Sequence, residues 1–349
     1  MENKPITVKA KGVSSKDSKF KTMTIKRRAL NPHDVLIEIK YAGICHSDIH
    51  SARSEWKQEI YPLVPGHEIA GVVKAVGSNV KKFKVGDNAG VGCLVNSCRN
   101  CDFCKNGYEQ QCKKNIGTYG NKDYYNNNEI TYGGYSQAIV VDEDFVIKVP
   151  KNAPLEYVAP LLCAGITTYS PIMFSKVKRK QKVAVAGFGG LGVMAIKYAK
   201  KFGADVSVIA RNKKKQKEAD ELGVKLYGSI KEVDEQFDLV ISTIPTIYDP
   251  LEYVQILKIG GELALLGLPP TKDNWKLSPA GLIFNGHRKI YGSLIGGVKI
   301  TQEMLNFSLK HKIYPEIEII SIEDIDEAYE KLTTGKAKFR YVIDMSTFK

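Results

Sequence analysis

The sequence feature that most constrains the fold is a glycine-rich turn between a short apolar strand and a helix. The strand covers residues 182–186, and the turn reads Gly187-Phe188-Gly189-Gly190-Leu191-Gly192. Residues 193–202 carry apolar side chains at helical spacing, and Gly203 ends the pattern. In this order, the glycines let the backbone approach a pyrophosphate whose charge sits at the helix N-terminus. The pattern predicts the first half of a Rossmann unit that binds a dinucleotide.

Further strand-like runs continue this pattern along the chain. A second strand at residues 206–210 follows the helix, and apolar runs at 237–242 and 262–267 come next, with helical stretches between them. Strands that alternate with helices predict a doubly wound, mostly parallel α/β sheet of about 140 residues. Residues before about 155 differ, with short strands and many glycines and prolines.

Four cysteines lie within fifteen residues, at 98, 101, 104 and 112. Two-residue gaps let one knuckle of backbone direct successive thiolates at a single Zn²⁺ ion, which in structural sites takes four tetrahedral ligands. Exposed free thiols would be prone to oxidation. Cys98, Cys101, Cys104 and Cys112 are therefore predicted to form a closed, structural zinc site, with Cys93 left as an ordinary small buried residue.

A second set of metal-binding residue types is spread more widely. Cys45 follows a strand-like run, His67 lies twenty-two positions later, and Cys163 stands in an apolar segment far along the chain. A catalytic zinc needs three protein ligands and one open position. Spacing alone does not assemble these residues, and the surroundings of Cys163 by themselves favour a packing role.

Composition and charge narrow the class of protein. The chain has 349 residues and a formal net charge of +13, but 43 of its 51 basic residues are lysine and are spread along its length. Nucleic-acid recognition favours clustered arginine, so we expect no nucleic-acid partner. Without an apolar run of about 18 residues or an apolar segment behind Met1, we expect a cytoplasmic protein with no membrane partner.

Together these motifs resemble the zinc-dependent medium-chain alcohol dehydrogenases, and within them the NADP-dependent cinnamyl alcohol dehydrogenase branch. The resemblance covers essentially the whole length, and its motifs occur in the family's order. They are residues 43–50, Gly66-His67-Glu68 with Gly71 and Gly77, the four-cysteine segment, and the glycine-rich turn.

The resemblance implies a catalytic domain that is split in sequence. Residues 1–155 would form a GroES-like partial β-barrel, residues 156–294 the NADP-binding Rossmann domain, and residues 295–349 a segment that completes the catalytic domain. It also implies a homodimer joined through the Rossmann sheet edge at residues 289–294.

The resemblance further implies two zinc ions per chain and a set of catalytic residues. Cys45, His67 and Cys163 would hold the catalytic zinc, which acts as a Lewis acid on a small alcohol or aldehyde. Glu68 would exchange with the water on that ion, and Asp48 would receive the second ring N–H of His67. Ser47 and His50 would relay the proton. For His50 the surface-imidazole alternative stays open on the sequence alone.

The remaining implied residues bind the cofactor or the substrate. His46 would contact the pyrophosphate, and Thr167, Leu191 and Leu266 would pack near the nicotinamide. Leu268, Ser293 and Ile295 are further cofactor candidates, beside the glycines of the turn. The apolar substrate walls would be Trp56, Leu94, Tyr119, Leu268 and Leu294, which suit a medium or aromatic side chain better than a polyol.

The residue after the second Rossmann strand indicates which cofactor is used. NAD enzymes carry a carboxylate there for the ribose 2′-hydroxyl, whereas this chain has Arg211, followed by Asn212 and three lysines that end at Lys215. A guanidinium suits a 2′-phosphate. The expected function is reversible hydride transfer between NADP(H) and a primary alcohol or aldehyde. The alternatives are an NAD-dependent polyol or secondary-alcohol dehydrogenase and a basic binding protein without catalysis.

Overall fold

The computed structural model describes residues 4–269, 276–337 and 339–348. Contacts divide the chain into two compact units, the first made of residues 1–166 and 296–349 and the second of residues 167–295. The first unit extends to Ile166, whereas the sequence predicts a boundary after residue 155. The difference arises because the helical segment after residue 155 packs with the first unit. Met1, which entered the argument about an N-terminal apolar segment, lies outside the described residues.

The first part of the chain, up to Ile166, is mostly short strands. Its helices are α1 (His46–Ala52), α2 (Asp102–Lys105) and α3 (Leu155–Pro160), and a π-helical turn, Leu161–Gly165, follows α3. The strands are β1 (Ile6–Gly12), β2 (Lys21–Arg27), β3 (Asp34–Gly43), β4 (Ile69–Val76), β5 (Asn88–Val91), β6 (Leu94–Asn96), β7 (Ile116–Gly117), β8 (Lys122–Asp123), β9 (Glu129–Ile130), β10 (Ala138–Asp142) and β11 (Ile147–Val149).

The second unit alternates strands with helices. The helices are α4 (Ile166–Phe174), which begins at the last residue of the first part, α5 (Gly190–Lys201), α6 (Gln216–Leu222), α7 (Pro250–Gln255) and α8 (Pro279–Phe284). The strands are β12 (Lys182–Ala186), β13 (Asp205–Ile209), β14 (Lys225–Tyr227), β15 (Phe237–Ser242), β16 (Leu257–Leu265) and β17 (Lys289–Gly292). The chain then returns to the first unit with α9 (Val298–His311), β18 (Ile317–Ser321), α10 (Ile325–Thr333) and β19 (Arg340–Asp344).

The six strands of the second unit form one parallel sheet in the order β14-β13-β12-β15-β16-β17. This is the 3-2-1-4-5-6 order of the Rossmann fold, with the order reversing at β12, directly before the glycine-rich turn. The central strands β12 and β15 are almost entirely buried and mostly apolar, as expected when helices cover both faces of a sheet. The doubly wound α/β prediction is confirmed.

The first unit is built around a seven-stranded, largely antiparallel sheet. Its order is β11-β5-β4-β3-β19-β18, and β10 pairs with β3 as well. The C-terminal strand β19 joins the sheet beside the end of β3, with Val342 opposite Gly43. The last residues of the chain therefore pair with the strand that leads directly into Cys45.

One segment, Leu155–Phe174, is long and apolar enough by length and composition to cross a membrane. Of its most apolar window, 78% is buried inside the protein, as in a core helix of a globular chain. The segment includes the π-helical turn that carries Cys163.

Candidate active site

Four potential ligands converge in the first unit. Ligand atoms of Cys45, His67, Glu68 and Cys163 all lie within 4.8 Å of one another. Cys45 Sγ is 3.9 Å from Cys163 Sγ. Cys45 caps the N-terminus of α1, His67 and Glu68 directly precede β4, and Cys163 sits on the π-helical turn. Turns of π-helix are frequent at functional sites, and here one brings in a residue from far along the chain.

The imidazole of His67 is fixed by its neighbours. Its Nδ1 lies 3.0 Å from Asp48 Oδ1, and its Nε2 lies 3.4 Å from Ser47 Oγ. Burial disfavours the charged ring, but the Asp48 carboxylate and the nearby Cys93 and Cys45 thiols together raise the pKa of His67 well above its ordinary value. Because Asp48 holds Nδ1, Nε2 faces the cluster as a donor atom for a metal.

Glu68 has one occupied and one unoccupied carboxylate oxygen. Its Oε1 accepts a hydrogen bond of 2.7 Å from Arg340 Nη2, while its fully buried Oε2 has no hydrogen-bond partner among the described residues. Burial raises the pKa of Glu68 to about 8, against the effect of the Arg340 guanidinium. A Cβ at Gly43 would lie 1.9 Å from Oε2, so only glycine leaves room for this oxygen. A buried, unpartnered oxygen beside two thiols and an imidazole fits a divalent cation such as zinc.

The thiols of the cluster are electrostatically inequivalent. The hydrogen bond with Cys163 lowers the pKa of Cys45 well below its usual value, and the same bond raises that of Cys163. The pKa of Cys93 is also lowered, chiefly by the neighbouring Cys163 thiol. The sequence interpretation of Cys93 as an ordinary small buried residue is therefore wrong, because the residue is only half-buried and its thiol adjoins the cluster.

Ser47 and His50 lie three positions apart on α1, which places them on one face of that helix. His50 Nδ1 forms a short hydrogen bond with Glu55, and its ring stacks on Trp56 with centroids 4.8 Å apart. A carboxylate and an indole ring thus orient His50, and its relay role stays a prediction. His46 begins α1 and is exposed.

Arg340 is a site residue that the sequence reading passed over. It opens β19, and its side chain is 12% exposed. The signal available in the sequence was a basic residue at the head of an apolar strand, Arg340-Tyr341-Val342-Ile343. That signal could not reveal its partner, since Glu68 lies 272 positions away.

The four-cysteine segment forms a second cluster. Cys104 Sγ lies 3.8 Å from Cys98 Sγ and 3.6 Å from Cys101 Sγ, and Cys112 belongs to the same group. Backbone N–H groups of Asn100 and Cys101 lower the pKa of Cys98 to about 6, as in a metal-binding knuckle. Burial raises the pKa of Cys104 to about 12. Four thiols whose sulfur atoms lie within 4.8 Å of one another fit a closed zinc site.

The glycine-rich turn of the second unit has the geometry of a dinucleotide site. Gly187 has a φ of +98°, and a Cβ at Gly192 would lie 2.0 Å from the carbonyl oxygen of Gly187, so the helix packs closely on the strand. At Gly189 and Gly190 a Cβ would meet no atom of the described residues within 4 Å. The open side of the turn leaves the room that a pyrophosphate needs.

The residues after β13 are exposed and basic. Arg211 lies two positions beyond the end of β13, whereas Asp205 starts that strand at its opposite end. Lys215 Nζ donates to the carbonyl oxygen of Phe188 at 3.0 Å, which ties this segment to the glycine-rich turn. The Asn212 side chain accepts from the backbone N–H of Lys214.

The other candidates from the sequence divide between the two units. In the first unit the Tyr119 ring lies 5.9 Å from that of His67, and its hydroxyl bonds Ser51. Leu94 opens β6 and is half-buried. Among the candidates of the second unit, Thr167 is buried. The others are exposed or half-buried: Leu191, Leu266, Leu268, Ser293, Leu294 and Ile295.

Comparison with known proteins identifies the family. The alcohol dehydrogenase GroES-like domain matches residues 31–151, and the zinc-binding dehydrogenase domain matches residues 190–310. An NADP-dependent alcohol dehydrogenase C of Mycolicibacterium smegmatis is 46% identical over 98% of this chain and 99% of its own length.

Two solved structures extend the likeness to the fold. The crystal structure of CAD from Helicobacter pylori complexed with NADP(H) has a TM-score of 0.95 and 59% identity, covering 98% of this chain and 99% of that one. A cinnamyl alcohol dehydrogenase of Sorghum bicolor has a TM-score of 0.92 and 34% identity, covering 98% of each chain. The chain therefore belongs to the zinc-binding, medium-chain alcohol dehydrogenase family, in its cinnamyl alcohol dehydrogenase branch.

Proposed function

We propose that this chain is an NADP(H)-dependent alcohol dehydrogenase that reduces aromatic or medium-chain aldehydes and oxidises the corresponding primary alcohols. The observation that carries the proposal is the buried convergence of Cys45, His67, Glu68 and Cys163. Two thiols, an imidazole and an unpartnered carboxylate oxygen match a catalytic zinc site with three protein ligands and an exchangeable fourth position. The family and its NADP-dependent members support the same reading.

The residues of this chain fit both groups that the family uses. Cys45, His67 and Cys163 would hold the catalytic zinc, with Glu68 as an alternative oxygen ligand, and the four-cysteine segment would hold a structural zinc. The glycine-rich turn would hold the pyrophosphate of NADP(H). When bound, zinc supplies Lewis acidity at the substrate oxygen and NADP(H) supplies the hydride.

Ser47 and His50, both on α1, would transfer the proton of the substrate hydroxyl. Ser47 Oγ lies 3.4 Å from His67 Nε2, so this hydroxyl reaches the donor atoms of the cluster. In oxidation its oxygen would accept the proton of the alcohol while its own hydroxyl proton is passed on, and in reduction both transfers would reverse. His50 would pass the proton outward, because Glu55 orients its ring.

The substrate class follows from the side chains around the cluster. The Trp56 ring stacks on His50, and the Tyr119 ring adjoins His67. Aromatic and aliphatic surfaces favour a flat or medium-length apolar substrate over a polyol, which needs several polar partners. We include Leu94, which belongs to the same unit, in the proposed walls.

We further propose a cytoplasmic homodimer with no nucleic-acid or membrane partner. β17 is the edge strand of the Rossmann sheet, and an unpaired edge offers backbone groups to a second copy. Light scattering should give about twice the chain mass of 38.8 kDa. A mass near that of one chain would contradict the dimer.

The deciding experiment is an initial-rate panel with both nicotinamide cofactors. Aromatic aldehydes, medium-chain aldehydes and polyols are compared at matched concentrations. We expect kcat/KM to be highest for an aromatic or medium-chain aldehyde with NADPH. Faster turnover of a polyol with NAD would favour the alternative polyol dehydrogenase.

A further inference from the structure

Four hydrogen-bond donors, one of them the His67 ring, contact the carboxylate of Asp48. Asp48 Oδ1 faces the backbone N–H of Gly66 at 3.1 Å and His67 Nδ1 at 3.0 Å. Oδ2 accepts from the backbone N–H of Cys45 at 2.9 Å and from the hydroxyl of Tyr135 at 3.3 Å. A carboxylate has about four lone-pair sites, so this set uses all of them. Three donors come from the segments that carry the proposed ligands, whereas Tyr135 comes from the loop before β10.

Tyr135 has a donor of its own. The hydroxyl of Tyr329, on α10, lies 3.4 Å from the hydroxyl of Tyr135. Burial and the Asp48 charge raise the pKa of Tyr135 well above 10, so its hydroxyl stays protonated. The direction of the two hydrogen bonds is then fixed: Tyr329 donates to Tyr135, and Tyr135 donates to Asp48.

The rings of Tyr135 and Tyr329 are closely packed by their neighbours. Tyr135 is fully buried, and the Tyr329 ring meets Phe20 edge to face with centroids 5.0 Å apart. A Cβ at Gly66, whose φ is +104°, would lie 2.8 Å from Cδ1 of Tyr135. The Tyr135 ring therefore rests on the peptide that directly precedes His67. It constrains both the carboxylate and the backbone of the proposed ligand.

We propose that Tyr135, supported by Tyr329, is a positioning residue of the catalytic metal site. The Tyr135 hydroxyl fixes the Asp48 carboxylate, which keeps the proton on Nδ1 of His67 and directs Nε2 at the metal. This inference rests on the proposed function, since it assumes that His67 is a ligand. It also gives the C-terminal helix α10 a contact that reaches the metal site.

The test is the rate of zinc release from Tyr135→Phe, a change that removes one hydroxyl and keeps the ring. Zinc-loaded protein is mixed with an excess of a chromogenic chelator, and the fast phase reports the catalytic ion. We expect release about three- to tenfold faster than in the wild type, below the ten- to hundredfold loss typical of a direct outer partner. In cobalt-substituted protein the visible d–d bands should shift, because the ligand field of His67 changes.

Two further variants separate positioning from loss of stability. Tyr248→Phe removes a buried hydroxyl that bonds Ser242 at 2.6 Å in the second unit, and it should leave zinc release and the cobalt spectrum unchanged. Tyr329→Phe should raise the release rate by less than Tyr135→Phe does. The double variant should match Tyr135→Phe alone, because both hydroxyls act through the same carboxylate.

Unchanged release and an unchanged cobalt spectrum in Tyr135→Phe would overturn the positioning role. If that variant does not fold, Tyr329→Phe decides: faster release supports the role, and release at the wild-type rate overturns it. Wild-type protein that binds only the four-cysteine zinc would overturn the proposed catalytic site and this inference together. Wild-type protein with both ions and insensitive tyrosine variants would overturn the inference alone.

Discussion

Arg340 Nη2 donates to Glu68 Oε1 at 2.7 Å, and this ion pair joins the first residue of the last strand to the residue after His67. The carboxylate is fully buried and the guanidinium is 12% exposed. Because the pair occupies Oε1, the other oxygen of Glu68 faces the thiol cluster. The C-terminal segment therefore shapes the donor set of the site as well as completing the sheet.

Replacing Arg340 by Met should destabilise the protein. The substitution leaves a buried carboxylate without its partner, and removing one member of a buried pair costs roughly 3–5 kcal/mol. We expect the free energy of unfolding to fall by about 3 kcal/mol, at the lower end of that range, because Glu68 can take up a proton and so avoid an unpaired buried charge. Urea denaturation of the zinc-loaded protein measures the free energy of unfolding.

The matched control carries Glu68→Gln together with Arg340→Met. A neutral amide no longer needs the guanidinium, so the double variant should recover part of the lost stability. A double variant as unstable as the single one would mean that Arg340 stabilises the sheet by packing and not through Glu68.

Much of the fold could be predicted from sequence because its signals are local. The strand, the turn from Gly187 to Gly192 and the following helix are contiguous, so each sets its own conformation. The four-cysteine segment is equally local, and its spacing directs the thiols together. The wider set of Cys45, His67 and Cys163 needed the family resemblance, because a contact over more than a hundred positions depends on the whole sheet.

The features that sequence could not reveal arise from strand pairing and packing. Arg340 reaches Glu68 only because β19 pairs with β3. Cys93 lies beside Cys163, and no spacing rule marks it. The Tyr329–Tyr135–Asp48 chain likewise connects three segments that are distant in sequence.

Each chain should bind two zinc ions that differ in lability. A chelator should remove the catalytic ion first, because it has three protein ligands and an open position, and turnover should fall with it. Cys163→Ala should abolish turnover, keep the fold and retain one zinc by metal analysis. Wild-type-like rates in that variant would place the ligand elsewhere.

Zinc bound at the four-cysteine site should stabilise the folded protein. Cys112→Ala removes one of four thiolates and with it the closed site, so the bound ion no longer stabilises the folded state. We expect a melting temperature lower by roughly 5 °C or more, since each kcal/mol shifts it by about 2–4 °C in a domain of this size. Equal melting temperatures in Cys112→Ala and the wild type would exclude a structural zinc there.

His50→Gln should slow alcohol oxidation at neutral pH by roughly ten- to a hundredfold, near the lower end for one general acid–base group. Zinc content and cofactor binding should change little. His33→Gln is the matched control, because His33 also pairs with a glutamate, Glu143, at 3.2 Å. An unaltered rate and pH profile in His50→Gln would mean that protons leave by another path.

The last prediction concerns the choice of cofactor. Arg211 lies two positions beyond β13, where the residue that faces the adenosine ribose is expected, and it is exposed. Asp205 cannot take its place, because it starts the strand and six residues at about 3.3 Å each separate the two positions by roughly 20 Å. A guanidinium holds a 2′-phosphate through paired hydrogen bonds, and Lys213 and Lys214 add positive potential. We expect NADP(H) to be preferred over NAD(H) by about tenfold or more in kcat/KM, which corresponds to about 1.4 kcal/mol or more.

Arg211→Asp should erase or reverse that preference by weakening NADP(H) binding. The introduced carboxylate repels the phosphate and can bond the 2′-hydroxyl of NAD(H), so KM for NADP(H) should rise while zinc content stays constant. Lys217→Asp makes the same charge change on the exposed face of α6 and should alter the ratio far less. If the wild-type enzyme uses both cofactors equally well, or if the two variants behave alike, Arg211 does not bind the phosphate and general surface charge sets the preference.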